Sequence, residues 1–241
     1  MNLPIIPFDE IRDLPLAELA LRLLARLHGH REINANNTLR GLQQAIHDSG
    51  EPDGDVLMSR VASAWAWLEA RAYVGPHPYN TQGGWQQVTE TGAEAAKDPA
   101  ALTKTWAEER LAGKLDPLLS SARANFGLGD YETACFAAMK AVEIEVRRVA
   151  ELPNELVGVS LMRKAFSPGD GPLTDLGAEG GERQATADLF AGAMGVFKNP
   201  TSHRAVQFDD SIEAAETIQL ADLLLRIVHR AASRKEQGPR I

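Results

Sequence analysis

The sequence predicts a mainly α-helical chain in two parts, an N-terminal domain over residues 1–100 and a helical bundle over 101–241. Three observations lead there. Apolar residues recur at helical spacing through most of the 241 residues, the signature of amphipathic helices packed on a core. Strand signals are confined to one short stretch, where Tyr73-Val74 and Trp85–Thr89 are separated by Pro76, Pro78, Asn80, Gly83 and Gly84. A break at Asp98-Pro99-Ala100-Ala101 then divides this stretch from a second series of helices.

Leu16, Leu19, Ala20, Leu23, Leu24 and Leu27 form one apolar stripe over residues 14–27, and Gly29 ends it. Asn37 or Thr38 is the expected cap of a second helix carrying Leu39, Leu42, Ala45 and Ile46. The run Ser49-Gly50-Glu51-Pro52-Asp53-Gly54 stops it. A third helix over 55–70 carries Val56, Leu57, Val61, Ala64, Trp65 and Leu68. With the two strand candidates as a wing, the order over residues 14–97 resembles a winged helix-turn-helix, in which a threonine opens a further short helix.

Beyond the linker, one long helix is expected over 105–124, with Leu111, Leu115, Leu118 and Leu119 on its buried face and Pro117 as an interruption. Residues 126–131 make the turn into a second long helix, 131–150, whose stripe is Cys135, Ala138, Met139, Val142, Val146 and Val149. The Pro- and Gly-rich stretch 152–181 contains a short helix at 159–166. A helix over 182–197 runs into Lys198-Asn199-Pro200, and proline can neither donate a helical hydrogen bond nor leave its predecessor helical. The last helix spans 211–232, capped by Asp209 or Ser211, and a disordered tail is expected from Ser233.

Composition narrows the function. No apolar run approaches the roughly 18 residues that a membrane span requires. The start Met1–Pro7 lacks the basic residues of a targeting peptide, so a soluble, cytoplasmic protein is expected. The single cysteine, Cys135, excludes an internal disulfide and a cysteine-built zinc site, and its apolar neighbours point to burial. The net charge of −8 argues against a surface that holds nucleic acid mainly through phosphate neutralisation. Residues 1–100 carry eight basic and thirteen acidic side chains. That balance makes a poor DNA reader, although Ser59, Arg60 and Ser63 stand on the third helix. Of Trp65 and Trp67, one is expected in the core and the other at a protein contact. His28, His30 and His229 lack companions at metal-ligand spacing and read as surface residues, and no metal or cofactor is expected.

The chemically distinctive string is Phe197-Lys198-Asn199-Pro200-Thr201-Ser202-His203-Arg204, after the small-residue run Ala191-Gly192-Ala193-Met194-Gly195. With Phe126–Ala134, Lys140-Ala141-Val142-Glu143, Val146-Arg147 and Leu161–Ser167, it resembles the HEPN superfamily of helical bundles, in the branch named after Ymh. The resemblance covers most of residues 105–235. It implies a homodimer whose composite site is a metal-independent ribonuclease, of the kind used in antiviral defence or toxin systems. His203 takes the histidine role, Asn199 the asparagine role, and Lys198 stands where the family pattern has arginine. Arginine offers a planar fork to phosphate, whereas lysine is a point charge.

The chemistry asks for the same residue types. A histidine titrates near neutral pH and can take the proton of a 2′-hydroxyl. A cation must offset charge developing on the phosphorus, a role open to Lys198 with Arg147, Lys140 or Arg204 as helpers. Asn199 and Ser202 can orient the phosphate, and Glu143 or Glu145 can orient a histidine. The expected product is a 2′,3′-cyclic phosphate. Two other readings stand beside this one: a non-catalytic dimerisation or RNA-binding scaffold, and a DNA-binding regulator acting through the wing domain.

Overall fold

In the computed structural model, residues 6–80, 82–198 and 210–237 are described. The chain is mainly helical and divides into two compact units, Met1–Thr105 and Trp106–Ile241.

The first unit opens with α1 (Phe8–Asp13), which the apolar period does not announce, followed by α2 (Leu16–Leu27), α3 (Ala35–Ser49) and α4 (Gly54–Ala70). α3 begins earlier than expected because its cap is Asn34. That side chain accepts from the Asn37 amide at 3.1 Å and donates to the Gly83 and Gly84 carbonyls at 2.8 and 3.0 Å, so one residue starts the helix and pins the hairpin loop. β1 (Val74–Pro76) and β2 (Gln86–Val88) pair antiparallel, with Val74 opposite Val88. Thr89 opens α5 (Glu90–Lys97) by accepting from the Gly92 amide at 3.0 Å. Glycine is required at 92, since a Cβ there would stand 2.1 Å from the Tyr73 carbonyl oxygen.

Leu19, Leu24, Leu27, Leu57 and Leu68 are fully buried in this unit. Trp65 is the core tryptophan, its indole donating to Gln86 at 3.0 Å. Trp67 is partly buried, edge-on to Tyr73 and covered by the Arg71 guanidinium at 4.4 Å. Arg60 is turned inward, donating to the Ile11 and Leu14 carbonyls, which ties α4 to the first turns of the chain.

The second unit contains α6 from Trp106 onward (Ala101–Arg110), a 3-10 turn Pro117–Leu119, α7 (Ser120–Gly127), α8 (Tyr131–Ala150), α9 (Gly158–Ala165), α10 (Gly180–Ala193) and α11 (Ser211–Gln237). The long helix expected over 105–124 is two helices. Gly113 and Pro117 break it, and Asp116 starts the 3-10 turn by accepting from the Leu118 amide at 2.9 Å. Rotation through that turn buries Leu119 and leaves Leu118 exposed. α8 is the central element, packed against α7, α9 and α11, with Cys135, Ala138, Met139, Val142 and Val146 wholly inside. Burial pushes the Cys135 thiol up to about 12, so it is a packing group. The tail expected to be disordered from Ser233 stays helical through Gln237, and Lys235 bonds Glu151 at 2.6 Å across to the end of α8.

α10 does not end in an ordinary cap. Its backbone widens into a π-helical turn, Met194–Lys198, a distortion frequent at functional sites. Pro200 has no amide hydrogen to offer the Val196 carbonyl, which is the sequence-level reason the α pattern fails there.

Candidate active site at the end of α10

Of the residues singled out in the sequence, Asn199, Ser202, His203 and Arg204 lie outside the described residues. Lys198, Glu143, Arg147 and Lys140 lie within them, and the fold brings the first three together.

Glu143 is placed by α8, one turn before Arg147 on the same face. Its side chain is 7% exposed, and each oxygen has a donor. Oε1 accepts from Arg147 Nη2 at 3.1 Å. Oε2 accepts from Lys198 Nζ at 2.6 Å and from the Gly158 amide at 2.7 Å. Both cations are nearly as sealed as the acid, at 14% for Lys198 and 15% for Arg147. Arg147 also donates from Nε and Nη2 to the Leu156 carbonyl, at 3.2 and 3.0 Å. The carboxylate therefore joins α8, the entry to α9 and the π turn at the end of α10.

Gly158 makes this possible. It begins α9 with φ +55, a left-handed conformation that side chains disfavour, and so aims its amide at Glu143. Burial by itself would raise the Glu143 carboxyl. The Lys198 ammonium, the Gly158 amide and Arg147 outweigh it and hold the group below the ordinary carboxylate range. Lys140 stays apart from these bonds: it is exposed, with its ammonium 6.0 Å from the Phe136 ring centroid.

Glu145, the other candidate for orienting a histidine, faces a different cluster. It accepts from Arg148 at 2.8 and 2.7 Å, and Oε1 lies 3.4 Å from His229 Nε2. Nδ1 of the same ring lies 3.4 Å from Asp116, whose amide donates to Asp222 at 2.7 Å. His229, read from the sequence as a surface residue, is 42% exposed and lies between two carboxylates, linking α11 to α8 and to the turn before α7. Asp116 and Glu145 are distant from His229 in the chain, so no local pattern points to them.

Residues 114–228, which include all of α7 to α10, match a family described as "Protein of unknown function (Hypoth_ymh)". No curated protein matches the chain, and neither does any solved structure.

Proposed function

We propose that the second unit is a HEPN-type bundle and a metal-independent endoribonuclease, acting as a defence or toxin effector, with the first unit as its winged-helix-like sensor. The observation that carries this reading is the Lys198–Glu143–Arg147 cluster, which holds two cations at the helix end from which the chain runs to His203 five residues later. In this reading His203 takes the proton from the 2′-hydroxyl, and the resulting alkoxide attacks the adjacent phosphorus. The P–O5′ bond breaks, a proton passes to the 5′-oxygen, and a 2′,3′-cyclic phosphate remains. Lys198 stabilises the charge that builds on the phosphoryl oxygens, with Arg147 behind it. Glu143 is a positioning residue that fixes both cations. Asn199, Ser202 and Arg204 bind the phosphate, and a homodimer completes the site.

The test is cleavage of single-stranded RNA by the purified protein with EDTA present, read by the end chemistry of the products. Cyclic phosphate ends that disappear in His203→Ala are the expected result. Lys198→Arg restores the fork, and a tenfold rise would correspond to about 1.4 kcal/mol of transition-state stabilisation. No cleavage by either form, with a normal dimer by light scattering, refutes the reading.

The scaffold reading has an observation of its own. Lys198 is already bonded to a buried carboxylate, an arrangement that also suits a purely structural lysine. For the first unit, the inward-facing Arg60 and the acidic balance favour a protein contact over sequence-specific DNA binding.

A further inference from the structure

A second polar site lies at the other end of α10. Thr186, on its wall, precedes Lys198 by twelve residues, roughly 18 Å along a helix at 1.5 Å per residue. Here the start of α10, the last turns of α11 and the loop after α9 enclose a cavity of about 280 Å³. Its apolar side is Phe166, Leu173 and Ile227, with Phe166 held by a stack on Phe190 at 4.0 Å between centroids. Its charged side carries Arg183, Arg230 and Arg234 against Asp175 and Glu182.

These charges are not internally matched. Arg234 faces Asp175 at 3.5 Å. Among the described residues, neither Arg183 nor Arg230 has a carboxylate within ion-pair distance, and Glu182 is the wall carboxylate that Arg234 does not face. Arg183 is anchored through Nη1 to the Pro168 carbonyl at 2.9 Å, while its Nε is buried with no acceptor.

We propose that this cavity binds a small phosphomonoester. Two guanidinium groups from different helices match an anion with three oxygens and a charge of about −1.5 to −2 better than they match a carboxylate. The Phe166–Ile227 side takes the apolar or planar body of the ligand, and Glu182 accepts from its hydroxyl groups. The volume is at the small end of the range of about 300–1,000 Å³ usual for small-molecule sites, so the ligand is of mononucleotide size or less. The site is separate from the Lys198 cluster and does not depend on the ribonuclease reading.

Titration calorimetry on the full chain tests it with adenosine 5′-monophosphate, adenosine and inorganic phosphate. The nucleotide binds with a Kd below about 1 mM, inorganic phosphate displaces it, and adenosine binds at least tenfold more weakly, a difference of about 1.4 kcal/mol. Arg230 is exposed on α11, so Arg230→Gln leaves the thermal transition in place and weakens the nucleotide about tenfold, with partial recovery in Arg230→Lys. The proposal is overturned if the nucleotide gives no heat at about 10 mM, if adenosine binds equally well, or if Arg230→Gln binds as the natural chain does.

Discussion

Glu143 and Glu145 stand two residues apart on one helix, each with its side chain 7% exposed, yet their surroundings are opposite. Glu143 meets cations that are themselves mostly covered, Lys198 and Arg147, and a backbone amide. Glu145 meets groups open to water: Arg148 is 67% exposed and His229 42%. Two residues on a helix turn the side chain through about 200°, so one acid points at the α9–α10 side and the other at α11. The first cluster is preassembled and shielded from salt. The second is a tether whose charges the solvent can screen.

Removing Glu143 should have the largest effect. Glu143→Ala takes the shared acceptor from Lys198 and Arg147, and breaking a buried ion pair this way costs about 3–5 kcal/mol. Urea unfolding followed by circular dichroism should show that loss, and it should be nearly the same at low and high salt. Glu143→Ala and Lys198→Met combined should cost less than the two separately, because both changes break the same ion pair.

Gly158→Ala comes next. Forcing an alanine to φ +55 costs about 1–2 kcal/mol and moves the amide away from Glu143, so thermal melting should fall, whereas a control alanine at Gly192, which opens onto empty space within α10, should hold or slightly raise it.

Acid should separate the two clusters further. Glu143 is held low against the opposing effect of its burial, and Glu145 is held low chiefly by Arg148. A carboxyl whose folded pKa lies below its unfolded value binds protons preferentially in the unfolded state. The stability it contributes is therefore complete above about pH 4.3, the ordinary glutamate value, and is lost as pH falls through the lower folded value. Glu143→Gln and Glu145→Gln should each flatten the fall in urea midpoint between about pH 5 and pH 3, and 1 M salt should reproduce the flattening only for the Glu145 arm.

The smallest effect belongs to Arg148→Gln. Its side chain is the most exposed member of either cluster, so the urea midpoint should shift slightly at low ionic strength and not at all in high salt. A large, salt-independent loss there would erase the distinction between the two acids.

Much of this architecture is written locally in the chain. The 3.6-residue period marks α2, α8 and α11, and Asp130 caps α8 by accepting from the Thr133 amide at 3.1 Å. The proline after Lys198 marks the end of α10, and the spacing from Lys198 to His203 is itself a property of the sequence. Propensity, capping and periodicity act within a few residues, so they can be read without a structure. What they cannot supply is the partner of a side chain on another element. Lys198 and Glu143 are 55 residues apart, and only the packing of α8, α9 and the π turn makes them one ion pair. The inward turn of Arg60, the exposure of Leu118, the two carboxylates around His229 and the cavity wall shared by Arg183 and Arg230 belong to the same class. Each depends on which faces of distant helices are pressed together. That choice is made by burial of the whole apolar surface, to which no single residue's neighbours in sequence are a guide.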